Sequence, residues 1–161
     1  MRVPPPPATN DAVRRRMRTT RRRDTDCEVG LRRILHSVGL RYRIHAKVKH
    51  LGNRRRVDLV FTAARVAVFV DGCFWHSCPS HGTLPKSNRA WWQDKLHANV
   101  LRDRDSDEIL TNAGWVVVRV WEHEDPLAAA QLIVERLARI DERYLLNQRR
   151  IRQLGAAQRG R

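Results

Sequence analysis

Residues 70–81, VDGCFWHSCPSH, combine metal ligands, aromatic rings and titratable groups in one short segment. Cys73, Cys78 and His81 have the types and close spacing of zinc ligands, and a structural zinc site needs four. His123 is the best fourth ligand, because it follows a valine-rich predicted strand whose end can meet this segment. The sequence therefore predicts a structural Zn²⁺ site. The alternative is that these side chains are ordinary thiols and surface histidines.

A second set of residues is acidic. Asp58 lies mid-strand in VDLVF, on the face opposite Val57, Leu59 and Phe61. An uncompensated carboxylate beside a buried strand is costly, so a cation should accompany it. That cation is either Mg²⁺, as in many nucleases, or one of the many arginines. The residues alone favour neither of these two interpretations over the other.

Three further titratable residues are candidates for the same site. Asp103 lies on the inward stripe of a long predicted helix, although a local pair with Arg102 or Arg104 is the alternative. Glu28 could contribute from the first helix, but it is also the glutamate of a capping box. His76 is a natural general base, since it titrates near neutral pH, or it could instead bind zinc.

The aromatic residues form a third set. Phe74 and Trp75 are adjacent within the predicted metal-bound segment, which makes them candidates for a wedge between DNA bases. Trp92 fits the apolar stripe of its helix, so its position alone predicts a core residue.

Composition limits the class of protein. The 161 residues include 32 Lys+Arg against 17 Asp+Glu, a formal net charge of +15. This charge favours a polyanionic partner such as nucleic acid, with ribosome-like or membrane-surface basicity as alternatives. No segment approaches ~18 uninterrupted apolar residues, so no membrane span is expected. Three cysteines cannot form a closed disulfide set, which favours a cytoplasmic protein with cysteine metal ligands.

Hydrophobic periodicity predicts the element order α-β-β-β-α-β-α. Residues 1–13 are expected to be a disordered Pro-rich tail, 14–145 a single domain, and 146–161 a basic tail that is frayed over 149–161. The arginine run at 14–23 is either a solvated tail or a phosphate-contacting arm, and the net charge favours the arm. The predicted strands are 42–48, 57–61, 66–70 and 115–121, and the predicted helices begin near 25, 87 and 125.

With these residues assembled, the chain resembles the very short patch repair (Vsr) DNA mismatch endonucleases. The resemblance spans about residues 14–135. It implies a restriction-endonuclease-like α/β core, with a mixed central sheet flanked by helices. It also implies nicking of one strand beside a T:G mismatch left by deamination of 5-methylcytosine. The matching segments are RDTDCE (23–28), VDLVF (57–61), FVDGCFWHSCP (69–79), WWQDKLHANVLRDRD (91–105) and GWVVVRVWEHE (114–124).

The same resemblance implies roles for individual residues. Asp58 corresponds to the carboxylate that binds Mg²⁺, and the backbone carbonyl of Val70 to the group completing that site. His76 corresponds to the histidine that activates water, Asp103 to an acid behind it, and Glu28 to a helix acid near the site. The expected reaction is Mg²⁺-dependent hydrolysis of one phosphodiester, which initiates very short patch repair.

Phe74, Trp75 and Trp92 correspond to the aromatics that enter the duplex, which replaces the core interpretation of Trp92. Two positions depart from the family. Asp71 stands where some members carry a second active-site histidine, and its carboxylate could bind metal directly. The zinc ligands are also spaced differently and end in His123 rather than a cysteine.

The expected partner is double-stranded DNA carrying a T:G mismatch, bound by a monomer, with a MutL-type repair protein as a further candidate. Two other functions remain open from the sequence. One is a restriction-like or junction-resolving nuclease on the same core. The other is a non-catalytic zinc DNA-binding module, in which Asp58 would pair with an arginine.

Overall fold

The computed structural model describes residues 11, 15 and 24–159. The Pro-rich tail and the arginine arm expected from the sequence therefore lie, apart from those two single positions, outside the described residues.

A four-stranded mixed sheet forms the centre of the molecule. Its spatial order is the chain order, β1 (Arg43–Ala46), β2 (Val57–Phe61), β3 (Val66–Asp71) and β4 (Val116–Trp121). The first three strands are antiparallel neighbours, whereas β3 and β4 are parallel and pair from Val66↔Val116 to Asp71↔Trp121. A parallel pair requires a crossover, and a long helix supplies it here. The predicted α/β architecture with a mixed sheet is confirmed.

Within residues 24–159, four helices flank the sheet: α1 (Asp26–Ser37), α2 (Arg89–Asn112), α3 (Pro126–Ile140) and α4 (Leu145–Arg159). Capping explains where two of them begin. The hydroxyl of Thr25 accepts a hydrogen bond from the Glu28 amide at the start of α1, and the Asp125 carboxylate accepts one from the Ala128 amide at the start of α3. Two short 3₁₀ turns, Lys49–Leu51 and Glu142–Tyr144, complete the described elements.

Strand β3 is buried on both faces, as its continuous apolar sequence predicts. Val66 and Val68 face a larger cluster that includes Leu31 of α1 and Ile133 of α3. Ala67 faces a smaller cluster that contains Leu110 of α2. Helices α1 and α3 therefore cover one face of the sheet and α2 covers the other, which leaves the ends of the strands to carry the site.

The C-terminal segment differs from its predicted state. The expectation of a basic tail at 146–161, frayed over 149–161, is wrong over most of its length, because Leu145–Arg159 forms helix α4. Ile151 is buried in the larger core cluster, and the Asn147 amide donates to the Val38 carbonyl at 2.8 Å. A Cβ on Gly155 would lie 2.6 Å from Gln131 Nε2, so α4 approaches α3 closely there. One isoleucine and one glycine among many arginines are a weak sequence signal.

Within the described residues, every helix is too short or too polar to traverse a bilayer.

Candidate active site and metal cluster

The site lies where β2 begins and β3 and β4 end. Because β2 is antiparallel to β3, its first residues lie beside the last residues of β3. The residue pairs of β2 and β3 run from Phe61↔Val66 to Leu59↔Val68. Just beyond the last of these pairs, Asp58 Oδ2 accepts a hydrogen bond from the Val70 amide at 2.9 Å. A side-chain carboxylate therefore contacts the β3 backbone here, and Asp58 and the Val70 backbone are held together.

The Asp58 carboxylate is largely buried and has no strong cation partner. Burial raises its pKa, and the Val70 amide opposes that shift by favouring the charged form. The other oxygen, Oδ1, lies 3.5 Å from His45 Nδ1. Among the described residues, no lysine or arginine forms an ion pair with Asp58, so the arginine partner considered from the sequence is not found there. The contacts of the Asp58 carboxylate among the described residues are therefore the Val70 amide and the His45 ring.

Glu28 and His45 lie on the other side of Asp58. Glu28 accepts a hydrogen bond from the Asp24 amide at 3.1 Å, and its Oε2 lies 3.7 Å from His45 Nε2. His45 was not identified from the sequence. Its backbone has a φ of 46°, an uncommon conformation for a residue other than glycine. Only the histidine itself, one residue after an apolar strand position, could have signalled it.

A second acid–histidine group lies at the end of β3. His76 follows the strand, and its Nδ1 lies 2.6 Å from Asp103 Oδ2 on α2 and 3.5 Å from Asp71 Oδ1. Burial works to lower the pKa of His76, but the hydrogen bond to Asp103 and the charges of both carboxylates raise it overall. The structure thus joins the predicted base to the predicted acid behind it.

Arg119 compensates the charge of this second group. Its Nη1 donates to both oxygens of Asp71 at 2.8 Å, and its Nε donates to Asp107 at 2.9 Å. The guanidinium also lies 4.6 Å from the centre of the Phe69 ring. Burial works to lower the pKa of Arg119, but the carboxylates of Asp107 and Asp71 raise it above the ordinary arginine value. The sequence analysis missed Arg119, although an arginine inside VVVRVW was a usable signal.

The four predicted zinc ligands form one cluster. The thiols of Cys73 and Cys78 and the imidazoles of His81 and His123 offer ligand atoms within 4.8 Å of one another. His123 Nδ1 lies 3.0 Å from Cys73 Sγ and 3.7 Å from Cys78 Sγ, and His81 Nδ1 lies 3.9 Å from Cys78 Sγ. A tetrahedral Zn²⁺ would separate sulfur and nitrogen ligands by about 3.5 Å. The cluster can therefore hold a metal ion.

The backbone around this cluster is closely fitted. A Cβ on Gly82 would lie 2.5 Å from the Cys78 carbonyl oxygen, so only glycine fits there without rearrangement. Glu122 accepts a hydrogen bond from the Cys73 amide at 2.6 Å, which ties the segment after β3 to the end of β4. Burial and the neighbouring Cys78 thiol raise the pKa of Cys73 to about 11. A metal ion bound there would displace thiol protons.

The three candidate wedge residues contact one another. The ring centroid of Phe74 lies 5.0 Å from that of Trp75 and 5.3 Å from that of Trp92, and the two tryptophan centroids are 6.0 Å apart. Trp75 is 42% exposed, whereas Trp92 is buried beneath the pair. Buried Asn99, which sequence analysis did not identify, donates to the Trp75 carbonyl at 2.9 Å and fixes this segment against α2.

Comparison with known proteins shows which proteins the chain is similar to. The family model of the DNA mismatch endonuclease Vsr matches residues 8–80. The chain is 45% identical to the Type II nicking enzyme V.NaeI of Lentzea aerocolonigenes, over 86% of this chain and 84% of that protein. It is 40% identical to the Type II nicking enzyme V.XorIIP of Xanthomonas oryzae pv. oryzae, over 67% and 77%. It is 35% identical to the DNA mismatch endonuclease Vsr of Escherichia coli K12, over 66% of each chain.

An α/β core with acid–histidine groups at one end of the sheet, together with relatives of these names, defines a DNA endonuclease. Within that class, the chain belongs to the Vsr DNA mismatch endonuclease family, which confirms the resemblance drawn from its sequence motifs.

Proposed function

We propose that this protein nicks one strand of duplex DNA beside a T:G mismatch by Mg²⁺-dependent hydrolysis, on a restriction-endonuclease-like core. The observation that carries the proposal is the pairing of two groups at one end of the sheet. Asp58 is held against Val70 without a lysine or arginine partner among the described residues, and His76 is hydrogen-bonded to Asp103. A carboxylate open to a cation and a positioned base are what phosphodiester hydrolysis requires.

Asp58 and the Val70 carbonyl are the groups that would hold Mg²⁺, because Mg²⁺ prefers oxygen ligands and one or two carboxylates. The buried carboxylate without an arginine or lysine fits that ion. When bound, Mg²⁺ supplies charge stabilisation at the phosphate and at the leaving 3′-oxygen. Glu28 lies on the opposite side of His45 and adds negative charge to the same region.

His76 accepts the proton of the attacking water in this proposal. The hydrogen bond from Nδ1 to Asp103 fixes the ring and engages Nδ1, so Nε2 is the nitrogen left to accept the proton. Asp103 thereby orients the base and stabilises its protonated form after the proton transfer. Asp71 could help to bind metal, as its sequence position suggests, but both of its oxygens already accept hydrogen bonds from Arg119. We therefore assign Asp71 to the ion pair.

The Cys73–Cys78–His81–His123 cluster is proposed to hold structural Zn²⁺. Two thiolates and two imidazoles suit zinc, and four protein ligands leave no open position for substrate. The ion would join the segment after β3 to the end of β4, and thus fix both the His76 loop and the aromatic residues before it. It has no role in the hydrolysis itself.

Selection of the mismatch is proposed to come from Phe74, Trp75 and Trp92. Unstacking costs less at a mismatched pair than at a matched one, so an aromatic wedge favours T:G sites. The exposed Trp75 would enter first, with Phe74 behind it. Trp92 is buried in the free protein and would have to emerge to contact bases itself. Monomeric binding and a MutL-type partner stay predictions.

A restriction-like nicking activity is the second candidate. It is favoured by the names of V.NaeI and V.XorIIP, which are both Type II nicking enzymes. Such an enzyme would cut matched duplex at a recognition sequence. The two candidates share the chemistry at Asp58 and differ only in substrate.

The test is a nicking assay with Mg²⁺ on duplexes of varied flanking sequence, each prepared with T:G or C:G at one position. We expect nicks in the T:G duplexes only. Asp58→Ala should abolish nicking while leaving binding nearly intact, and Asp105→Ala, on the exposed face of α2, should nick normally. Equal cutting of matched duplexes would favour the restriction-like function. Nicking by Asp58→Ala would refute the metal assignment.

A further inference from the structure

The connection between β1 and β2, residues 47–56, is a strongly basic segment. Its sequence, KVKHLGNRRR, contains five Lys or Arg and no Asp or Glu in ten residues. Over the whole chain, Lys and Arg are 32 of 161 residues, or about a fifth, so positive charge is concentrated here more than twofold. Nothing in the proposed hydrolysis, the metal cluster or the aromatic wedge uses this basic segment.

The backbone of the basic segment is held against α2. Val48 and Leu51 are buried in the smaller core cluster, which also contains Leu110 of α2. Arg55 donates a hydrogen bond to the hydroxyl of Ser106 on α2 at 3.0 Å, and its charge is already paired on that helix. A segment that is fixed in this way loses little conformational entropy when a partner binds to its exposed side chains.

Several cations of the basic segment point into solvent. Lys47, Lys49 and Arg54 are exposed, and none of the three forms an ion pair with a described residue. Arg56 is exposed as well, although its guanidinium donates to the Asn53 carbonyl at 2.7 Å. Like charges that are held together on a fixed backbone repel one another, and a polyanion would relieve that repulsion.

The topology of the sheet places this charge beside the candidate active site. Strands β1 and β2 are antiparallel and pair from Arg43↔Val60 to Ala46↔Val57, so their connection lies at the end where β2 begins. Asp58 is the second residue after the segment. Phosphates recur about every 3.4 Å along each strand of a duplex. A duplex with one phosphate at Asp58 therefore brings others within reach of the long side chains that start next to it.

We propose that the basic segment binds backbone phosphates of the substrate duplex beside the nick, through Lys47, Lys49 and Arg54. The proposal rests on the proposed function in one respect, that the duplex is the one presented to Asp58. Phosphate contacts fix the register of a protein on DNA but carry no sequence information. The segment therefore strengthens binding of T:G and matched duplexes equally, and leaves selection of the mismatch to the aromatic residues.

The test is the salt dependence of duplex binding by the full chain, without Mg²⁺, on T:G and C:G duplexes of the same sequence. In the triple variant Lys47→Gln/Lys49→Gln/Arg54→Gln, the slope of log affinity against log salt should become shallower by about 2–3, because each lost phosphate contact removes about 0.9. Affinity for the two duplexes should fall by the same factor, about tenfold or more at low salt.

A second triple variant is the matched control. Arg136→Gln/Arg149→Gln/Arg152→Gln removes the same charge from exposed positions of α3 and α4, on the face of the sheet opposite α2. Its slope should stay close to that of wild type, which separates a local contact from an effect of net charge. Equal slopes in the two triple variants would overturn the inference. A loss of affinity confined to T:G duplexes would also overturn it, because the segment would then read the mismatch rather than the backbone.

A further measurement changes the DNA and does not depend on how well a variant folds. Single phosphates on either side of the nick are replaced by uncharged methylphosphonates. We expect two or three of these replacements to weaken binding by wild type and to have little effect on the Lys47/Lys49/Arg54 triple variant. Equal losses in both proteins at every position would contradict the proposal. If wild type binds these duplexes but nicks none of them, the proposed function fails, while the slopes still decide whether the basic segment contacts DNA.

Discussion

Two acid–histidine groups occupy the same end of the sheet, and they differ in how their charge is offset. Around Asp71, the guanidinium of Arg119 donates to both carboxylate oxygens, and His76 bonds to Asp103 at 2.6 Å. Around Asp58, the nearest titratable nitrogen belongs to His45, at 3.5 Å. The first group is compensated by Arg119, whereas the second has no lysine or arginine partner among the described residues, which is why we propose a bound cation there.

This difference separates two tasks that buried carboxylates can perform. A carboxylate paired with arginine is fixed in place and can orient a base, but it has little capacity left for a metal ion. A carboxylate held by one backbone amide keeps that capacity, at some cost in stability. The contrast supports our proposal that the Asp71 group positions the base and the Asp58 group binds the metal ion.

The largest expected effect follows from removing Arg119. Arg119→Met should lower the free energy of unfolding by about 3–5 kcal/mol, because it leaves the buried carboxylate of Asp71, and the partly exposed one of Asp107, without their cation. Urea denaturation measures this. Arg104→Met, on the exposed face of α2, is the matched control and should change stability by less than about 0.5 kcal/mol.

Adding Asp71→Asn to Arg119→Met should recover part of the lost stability, since one uncompensated charge is then gone. If Arg119→Met alone is as stable as wild type, the Asp71 group is not self-compensated, and the contrast with the Asp58 group disappears.

A smaller effect is expected from Asp103. A general base works only when neutral, so nicking should decline as pH falls through the pKa of His76, which its carboxylate neighbours raise above the ordinary value. Asp103→Asn removes one of those charges and should move the acid limb of the rate–pH profile to lower pH. The rate at the plateau should also fall by about tenfold to a hundredfold, because the ring is less well oriented.

Asp105→Asn is the control for this measurement, because Asp105 lies on the same helix and pairs with Arg55 instead. Its acid limb should coincide with that of wild type. An unchanged limb in Asp103→Asn would show that His76 is not the titrating base.

Local motifs predict part of the candidate site. The close spacing of Cys73 and Cys78, and Asp58 within an apolar strand, are visible along the chain. In the structure, Cys73 and Cys78 lie in one cluster with His81 and His123, and Asp58 lies in β2. Arg119 and His45 were not predicted, because their importance depends on which strand lies beside which. Arg119 acts on Asp71 only because β3 and β4 are parallel neighbours in register.

The fold also divides into elements that local sequence predicts and one element that depends on long-range packing. Periodicity predicted the strands and the helices at the core, since each presents a regular apolar face. It failed for α4, whose burial rests on Ile151 and on the close approach at Gly155, both of which need α3 as a partner. Long-range packing of this kind leaves little trace in a basic segment.

The smallest expected effect has the opposite sign from that of Arg119→Met. Burial raises the pKa of Asp58, so the folded state binds this proton more tightly than the unfolded chain does, and ionisation at neutral pH reduces stability. The destabilisation develops as pH rises above the ordinary pKa of aspartate and is complete above the raised value.

Asp58→Asn retains an acceptor for the Val70 amide and removes the charge. It should therefore be slightly more stable than wild type at pH 7.5 without Mg²⁺. Added Mg²⁺ should then stabilise wild type and leave the variant unchanged, because only wild type keeps the carboxylate that binds the ion. Thermal denaturation with and without Mg²⁺ measures both effects. A variant that is much less stable, or that gains equally from Mg²⁺, would mean that Asp58 is compensated within the protein as Asp71 is.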